Sequence, residues 1–494
     1  MLEVEPKPLD LREPSLLRRE AFVDGRWVAA DSGETFPVDD PATGATIAEV
    51  PRMGRAETRR AIEAARRAYH AWRALTAKER GLIMRRWSDL MLEHLEDLST
   101  LMTTEQGKPI AESRAEVAYA ASFLEWFAEE GKRVYGDTIP QPLPDRRILV
   151  LKEPVGVTAG ITPWNFPAAM ITRKAAPALA AGCPMVLKPA EQTPLSGLAA
   201  AKLGEEAGVA AGVFSVVTTD AEGAPEIGRE LTSNTIVRKV GFTGSTEVGK
   251  LLMRQCADQV KKISLELGGN APFLVFDDAD LDEAVAGAVL CKYRNSGQTC
   301  ISANRILVQD AVYDEFVSRF TESVTKLSVG SGLDPATKVG PLIDEQALEK
   351  VERHLADAQE RGAALLHGGR RLGGRFYEPS VLVDVTMEMA MSCEETFGPV
   401  AGINRFADEE EAVRIANDTP YGLAAYFYSR DVGRVWRLAE ALEYGILGIN
   451  TGFISTEVAP FGGLKESGIG REGSKYGIEE WVELKYLALG GMDR

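Results

Sequence analysis

VGVTAGITPWNFPAAMITRKAAPALAAGCPMVLKP, residues 155–189, holds the repeating unit of the chain. Two short apolar runs, VGVTAGIT and PMVLKP, bracket a helix-like stretch, AMITRKAAPALAAG. The runs VFSVVT (213–218), VRKVGFT (237–243) and ISLELGG (263–269) continue the pattern, with LSGLAAAKLGEEAG (195–208) and STEVGKLLMRQCADQV (245–260) between them. Strands alternating with helices at this spacing predict βαβ units and a parallel sheet, an α/β fold. A second alternating block runs from about 272 to 450.

Outside these blocks the texture changes. Residues 56–131 place apolar side chains at three- and four-residue intervals, as amphipathic helices do. GKRVYGDTIPQPLPDRRILVLKEPVG (131–156) has turn residues between β-like stretches and reads as an extended ribbon. The terminal IEEWVELKYLALG (478–490) reads as a strand with no evident partner in its own domain, free to pair with another subunit.

A chain of 494 residues exceeds what one ordinary core needs. The net charge of −17 repels phosphates and anionic membranes, so neither nucleic acid nor membrane is an expected partner. Five scattered cysteines make no disulfide framework, and without a CxxC pair and with four histidines no metal site is expected. The acid-rich N-terminus and the lack of a long apolar run point to a reducing cytoplasm.

Four short segments carry polar chemistry. GSTEVGK (244–250) begins like a phosphate-binding loop, but Leu251 stands where that loop needs a hydroxyl for Mg²⁺. What survives is a strand, then Gly244-Ser245, then a helix start, which is either an ordinary turn or a seat for phosphate oxygens. Cys300 closes NSGQTC (295–300); a cysteine can be a core residue or, beside a base, a nucleophile. Glu266 ends an apolar strand before two glycines, either solvated or a general base with a raised pKa. Asn165, set between prolines and aromatics in TPWNFP (162–167), is part of a rigid turn or an amide donor for an oxyanion.

TPWNFP, KPAEQTP, FTGSTEVG, LELGGNAP, GQTC, EETFGPV and PFGGLKESGIGRE occur in one order over nearly the whole chain. Together they resemble the aldehyde dehydrogenase superfamily. SFLEWFAEEGKRVYGDTIP (122–140), AAMITRKAAPALAAGC (168–183), NTGFISTEVAPFGG (450–463) and REGSKYGIEEWVELKY (471–486) are similar to its succinate-semialdehyde dehydrogenases.

The resemblance implies two Rossmann-like parallel-sheet domains plus a small β oligomerisation element. A cofactor-binding domain would take residues 1–131 and 152–265, and a catalytic domain 266–475. The ribbon 132–151 and the end of the chain, 476–494, would build a homotetramer or homodimer. It also implies oxidation of succinate semialdehyde through a thiohemiacetal and a thioester on Cys300. Asn165 and the Cys300 backbone N–H would hold the oxyanion, and Glu266 would activate the deacylating water. Lys174 and Glu472 match positions that support proton transfer.

For the nucleotide, the matching residues are Thr162, Trp164, Lys188, Glu191, Gly244, Ser245, Leu267, Glu395 and Phe397. A carboxylate at 191 accepts bonds from ribose hydroxyls and repels a 2′-phosphate, so NAD is expected ahead of NADP. For the substrate, Arg173, Arg294 and Ser455 match the residues that hold a remote carboxylate, with Phe166 and Phe461 beside them. Glutarate semialdehyde, one methylene longer, is the alternative. Glu266 argues against a CoA-acylating outcome, and the retained Cys300, Asn165 and Glu266 argue against a non-enzymatic homologue. Many relatives carry a second cysteine two residues after the nucleophile; Ser302 stands there, so no redox switch in this loop is expected.

Overall fold

The computed structural model describes residues 2 and 4–491. Its first sheet has eight strands. In spatial order they are Arg26–Val28, Ala21–Val23, Phe214–Val216, Met185–Lys188, Val157–Ile161, Val237–Thr243, Lys262–Glu266 and Gly468–Ile469. The five from Phe214–Val216 to Lys262–Glu266 are parallel and the outer ones antiparallel. The chain leaves Val157–Ile161, builds outward on one side through Met185–Lys188 and Phe214–Val216, then crosses to Val237–Thr243 on the other. Strand order therefore reverses between Val157–Ile161 and Val237–Thr243. Loops diverge at such a switch point and leave a crevice at the carboxyl ends of the strands.

The second sheet has seven strands, in the order Ala364–His367, Ser380–Val383, Val400–Phe406, Ala303–Gln309, Ala271–Val275, Ala424–Tyr428 and Ile446–Ile449. All neighbours are parallel except the first pair. Residue 266 ends a strand of the first sheet and residue 271 begins one of the second. The segment 266–475 is not confined to the second sheet, because Gly468–Ile469 returns to pair with Leu265 and Glu266.

The terminal strand is Val482–Leu489, and it has a partner within its own chain. It pairs antiparallel along its length with Arg147–Pro154, which pairs in turn with Asp137–Ile139. The strand, expected to have no evident partner in its own domain, finds one in the ribbon with which the resemblance groups it. The ribbon turns back at residues 140–146 and supplies a second edge that the last strand needs. The ribbon strand also continues past 151 to Pro154, and residues 477–481 form a short 3₁₀ turn ahead of the last strand.

Helices cover the first sheet. Ala169–Ala181 is buried along its whole length, and its six alanines let neighbouring backbones approach closely. Ile110–Glu130 and Ala77–Glu93 pack against it around Trp72, Trp87, Phe123 and Phe127, all nearly inaccessible. Trp72 donates its indole N–H to Leu179 O at 3.0 Å, which satisfies the polar edge of that buried ring. Several elements escaped the sequence reading, among them a hairpin and a helix. The hairpin Ala21–Val28 turns on Asp24-Gly25, both left-handed, but its strands are three residues long. The helix Ala224–Ser233 contains Pro225 and Gly228, which mask its period.

Helix Pro194–Ala207 is capped from a distance. Glu105 accepts N–H bonds from Leu195 at 2.9 Å and Ser196 at 2.8 Å. Burial raises the Glu105 carboxyl from 4.5 to about 8. Glu105→Ala should cost about 1–2 kcal/mol of stability, and Glu105→Gln less, in chemical denaturation. The folded carboxyl keeps its proton to about 8 while the unfolded one loses it near 4.5. The wild type should therefore lose stability relative to Glu105→Gln as pH rises from about 4.5 to about 8.

Candidate active site

The switch point of the first sheet delivers three segments to one place. After Ile161 the chain runs Thr162-Pro163-Trp164-Asn165-Phe166-Pro167 into the buried helix Ala169–Ala181. After Thr243 it runs Gly244-Ser245 into Thr246–Ala257, where the Ser245 hydroxyl accepts the Val248 N–H at 3.3 Å. The third strand ends at Glu266, whose carbonyl accepts the Gly244 N–H at 3.0 Å. Facing these is the amino edge of the second sheet, where the loop 294–302 precedes the strand Ala303–Gln309.

A cavity of about 510 Å³ lies between the two edges. It brings together Cys300, Glu266 and Asn165; Trp164, Gly244, Ser245, Leu267, Glu395 and Phe397; and Arg173, Arg294, Ser455, Phe166 and Phe461. Five other expected residues lie off its walls. Lys174 and Glu472 sit directly behind it, and Thr162, Lys188 and Glu191 sit beyond it at the ends of the strands Val157–Ile161 and Met185–Lys188.

The loop that presents Cys300 is unusual in its backbone. Asn295, Ser296 and Gly297 are all left-handed, with φ of 49°, 57° and 74°. Such a run in non-glycine residues needs outside support. Ser296 donates to Gly340 O at 2.9 Å, and the Gln298 amide oxygen accepts the Ile343 N–H at 3.0 Å. Asn165 Nδ2 donates to Gln298 O at 3.1 Å, tying the two facing loops together. Gly269 must be glycine, because a Cβ there would stand 2.3 Å from Cys300 O. Cys291 points its thiol at Ile301 O from behind the loop, at 3.5 Å, and Ser302 donates to Lys292 O at 3.3 Å.

Electrostatics separate the roles. Burial pushes the Cys300 thiol up to about 12, with Glu395 and Glu266 adding to the rise and Arg173 opposing it. The thiol is therefore protonated near neutrality and needs a base or an added positive charge to react. Glu266 is buried, neither carboxylate oxygen has a hydrogen-bond partner, and its pKa lies well above the usual carboxylate range. Burial is the main cause and the Glu472 charge the next. A Cβ on Gly462 would come within 3.0 Å of Glu266 Oε1, so that glycine leaves room for the carboxylate.

Glu472 takes the available cations. Arg173 Nε lies 2.8 Å from one oxygen and Lys174 Nζ 2.6 Å from the other, while Lys174 also donates to Thr243. The Arg173 guanidinium lies over Phe461 at 3.7 Å, and its Nη2 is buried without a partner. Across the cavity, Arg294 approaches Ser455 Oγ at 3.5 Å and lies over Phe166 and Phe453 at 5.1 and 5.4 Å.

The donor set also fits a dinucleotide. Gly244 and Ser245 line the cavity wall at the start of the helix Thr246–Ala257, the kind of helix start that attracts phosphate oxygens. Glu395 accepts the Gly269 N–H at 3.1 Å, and burial raises it to about 7. A Cβ on Gly268 would sit 3.3 Å from its other oxygen. Phe397, itself left-handed, meets Trp164 edge-on at 5.5 Å. Lys188 pairs with Glu191 at 3.1 Å, and the Thr162 hydroxyl is buried without a partner.

Tyr119 and Lys350 also line the cavity and were missed from sequence. Both sit within ordinary helical pattern, and nothing distinguishes Tyr119 from a core aromatic or Lys350 from a surface lysine. Among the described residues no group of His, Cys, Asp and Glu forms a metal site, and no helix is long and apolar enough to cross a membrane.

The thiol electrostatics are testable by alkylation. Iodoacetamide at pH 7.5 should label exposed Cys393 before Cys300, and the Cys300 rate should keep climbing past pH 9 (as about 12 requires) in peptide mass spectrometry. Glu395→Gln removes a charge that raises the thiol pKa, so it should speed Cys300 labelling at pH 8.

A model of the aldehyde dehydrogenase family matches residues 27–487. The chain is 63% identical over 486 residues to glutarate-semialdehyde dehydrogenase of Pseudomonas aeruginosa, covering 98% of this chain and 100% of that one. It is 61% identical over 484 residues to the NADP(+) succinate-semialdehyde dehydrogenase of Escherichia coli K12, with coverage of 98% and 100%. A crystal structure of an E. coli NADP-dependent enzyme superposes with a TM-score of 0.96 at 61% identity, over 97% of this chain and 100% of that one. With a family match over most of its length, and with a thiol, a buried carboxyl and an amide donor meeting at the seam of two parallel sheets, this chain belongs to the aldehyde dehydrogenase family.

Proposed function

We propose that the protein oxidises succinate semialdehyde to succinate with NAD(P)⁺, through covalent intermediates on Cys300. The observation that carries this reading is the pair of cationic walls in the cavity that holds the thiol. Arg173 keeps a buried, unpartnered Nη2, and Arg294 is paired with no carboxylate within 4 Å among the described residues. A substrate with an anionic far end supplies the missing acceptor.

The chemistry follows from the groups present. Cys300 Sγ loses its proton and bonds to the aldehyde carbon, giving a tetrahedral oxyanion held by Asn165 Nδ2 and the Cys300 N–H. When bound, NAD(P)⁺ would supply the hydride acceptor and bring a positive charge into the site. Loss of hydride from that carbon restores the C=O bond as a thioester. Glu266 takes a proton from water, the hydroxide oxygen adds to the thioester carbon, and the C–S bond breaks to release the acid and the thiolate. Gly244, Ser245, Glu395, Phe397, Trp164 and Leu267 would hold the dinucleotide. Lys174 and Glu472, behind Glu266, would pass its proton onward.

Glu191 favours NAD⁺ in this reading. Its carboxylate would meet a ribose 2′-phosphate, and it already occupies the Lys188 ammonium at 3.1 Å. The name of the E. coli relative carries NADP(+), so both cofactors stand within the proposal. Glutarate semialdehyde, named for the P. aeruginosa relative, is one methylene longer, worth about 1–3 kcal/mol in discrimination. The sheet formed by Arg147–Pro154 and Val482–Leu489 exposes Leu484, Tyr486 and Leu151, which suits assembly into a homodimer or homotetramer. The free thiols suit a reducing cytoplasm.

Three measurements test the reading. kcat/KM for succinate and glutarate semialdehyde with each cofactor should favour succinate semialdehyde and NAD⁺, and Glu191→Ser should raise NADP⁺ use relative to NAD⁺. Arg294→Ala should raise KM for the semialdehyde roughly 10- to 100-fold, the loss of a charge-assisted bond, and change a neutral aldehyde far less. Equal effects on both aldehydes would overturn the anionic subsite. Glu266→Gln should keep a single-turnover burst of NADH yet lose roughly 10²- to 10⁴-fold in steady-state turnover, with the acylated Cys300 peptide visible by mass.

A further inference from the structure

Behind the cavity, away from its walls, lies a second set of buried charges. Lys108 is 1% exposed and Glu116 3%. Lys108 Nζ donates to Glu116 and, at 2.7 Å, to Asn165 O; it also lies 4.1 Å from the Phe166 ring centre. The other Glu116 oxygen accepts the Ala168 and Ala169 N–H groups at 3.0 and 3.2 Å, at the start of the helix that carries Arg173 and Lys174. One turn before Glu116, on the helix Ile110–Glu130, Glu112 accepts the Asn295 N–H at 2.8 Å. Asn295 Nδ2 returns to Asn165 O at 3.1 Å.

The main chain of Asn165 is thus held twice at one carbonyl, and both restraints run back to the helix Ile110–Glu130 and the turn before it. A buried ion pair is a poor source of stability, because well-packed apolar residues of the same volume serve as well or better. Alignment is what it adds: a misplacement of about 1 Å at a reacting centre costs roughly 10²-fold.

We propose that Lys108 and Glu116, with Glu112, are positioning residues that set the aim of the Asn165 amide toward the oxyanion on Cys300. The proposal rests on Asn165 being the oxyanion donor, and its test is independent of which aldehyde is the substrate.

The probe is p-nitrophenyl acetate, whose carbonyl Cys300 Sγ attacks to form an oxyanion before p-nitrophenolate leaves. Iodoacetamide is the companion probe, because displacement of iodide at Cys300 forms no oxyanion. Full-length Lys108→Met/Glu116→Gln avoids an unpaired buried charge and should melt within about 4 °C of wild type. Its acylation rate should fall roughly 10- to 100-fold, while Cys300 alkylation stays within about twofold. Glu116→Gln alone keeps the Lys108 bond to Asn165 O and should recover part of the loss. Adding the pair of changes to Asn165→Ala should cause no further fall in acylation. Unchanged acylation in the Lys108→Met/Glu116→Gln variant, alkylation falling in parallel with acylation, or full additivity with Asn165→Ala would each overturn the proposal. An Asn165→Ala variant with wild-type acylation would overturn it as well, and with it the reading of Asn165 as donor.

Discussion

The meeting of two sheet edges governs this molecule. The carboxyl ends of the first sheet face the amino end of the second, and the joint between them is the short segment from Glu266 to Ala271. That segment ends one sheet with the buried carboxyl, begins the other, and contains Gly269, whose missing side chain lets the Cys300 loop close. The thiol can stand near the carboxyl only because the joint is short and bare. The return of Gly468–Ile469 beside Leu265 and Glu266 braces the same joint from the other side.

Charge is distributed around that joint unequally. Two carboxylates and two cations are buried together, but the cations both go to Glu472. Glu266 is left without a donor, and its proton affinity rises accordingly. The arrangement is costly as a source of stability and useful as chemistry, because a carboxylate with no bond to break is free to accept a proton from water. The same accounting applies to Arg173. Its Nε serves Glu472, its face covers Phe461, and its Nη2 remains open.

Much of this was legible in the sequence for physical reasons. Parallel strands buried on both faces read as apolar runs, so the alternation from 155 to 269 announced the first sheet and its helices. The turns after 161 and 243 were visible as breaks in that pattern, and the ordered motifs named Cys300, Glu266 and Asn165 together. What stayed hidden depends on distance in space. Nothing in SRAEVAYAASF marks Tyr119 as a cavity wall, since its neighbours there, Arg173 among them, lie far along the chain. Lys108 and Glu116 look like parts of a surface helix until Asn165 and Ala168 are seen to meet them. The pairing of Arg147–Pro154 with Val482–Leu489 spans more than three hundred residues and leaves no local trace.

The three left-handed residues before Cys300 bear on how the protein comes into being. Their shape is held by Gly340 and Ile343, and Gly297 packs directly on Gly398 O. All three supports lie downstream of the thiol in the order of synthesis. A nascent chain that has emerged only through Cys300 carries the nucleophile and the upstream holds at Glu112 and Asn165, but not the later ones at Gly340, Ile343 and Gly398. The loop around Cys300 is therefore completed only after about a hundred further residues have been added, when the chain has reached Gly398.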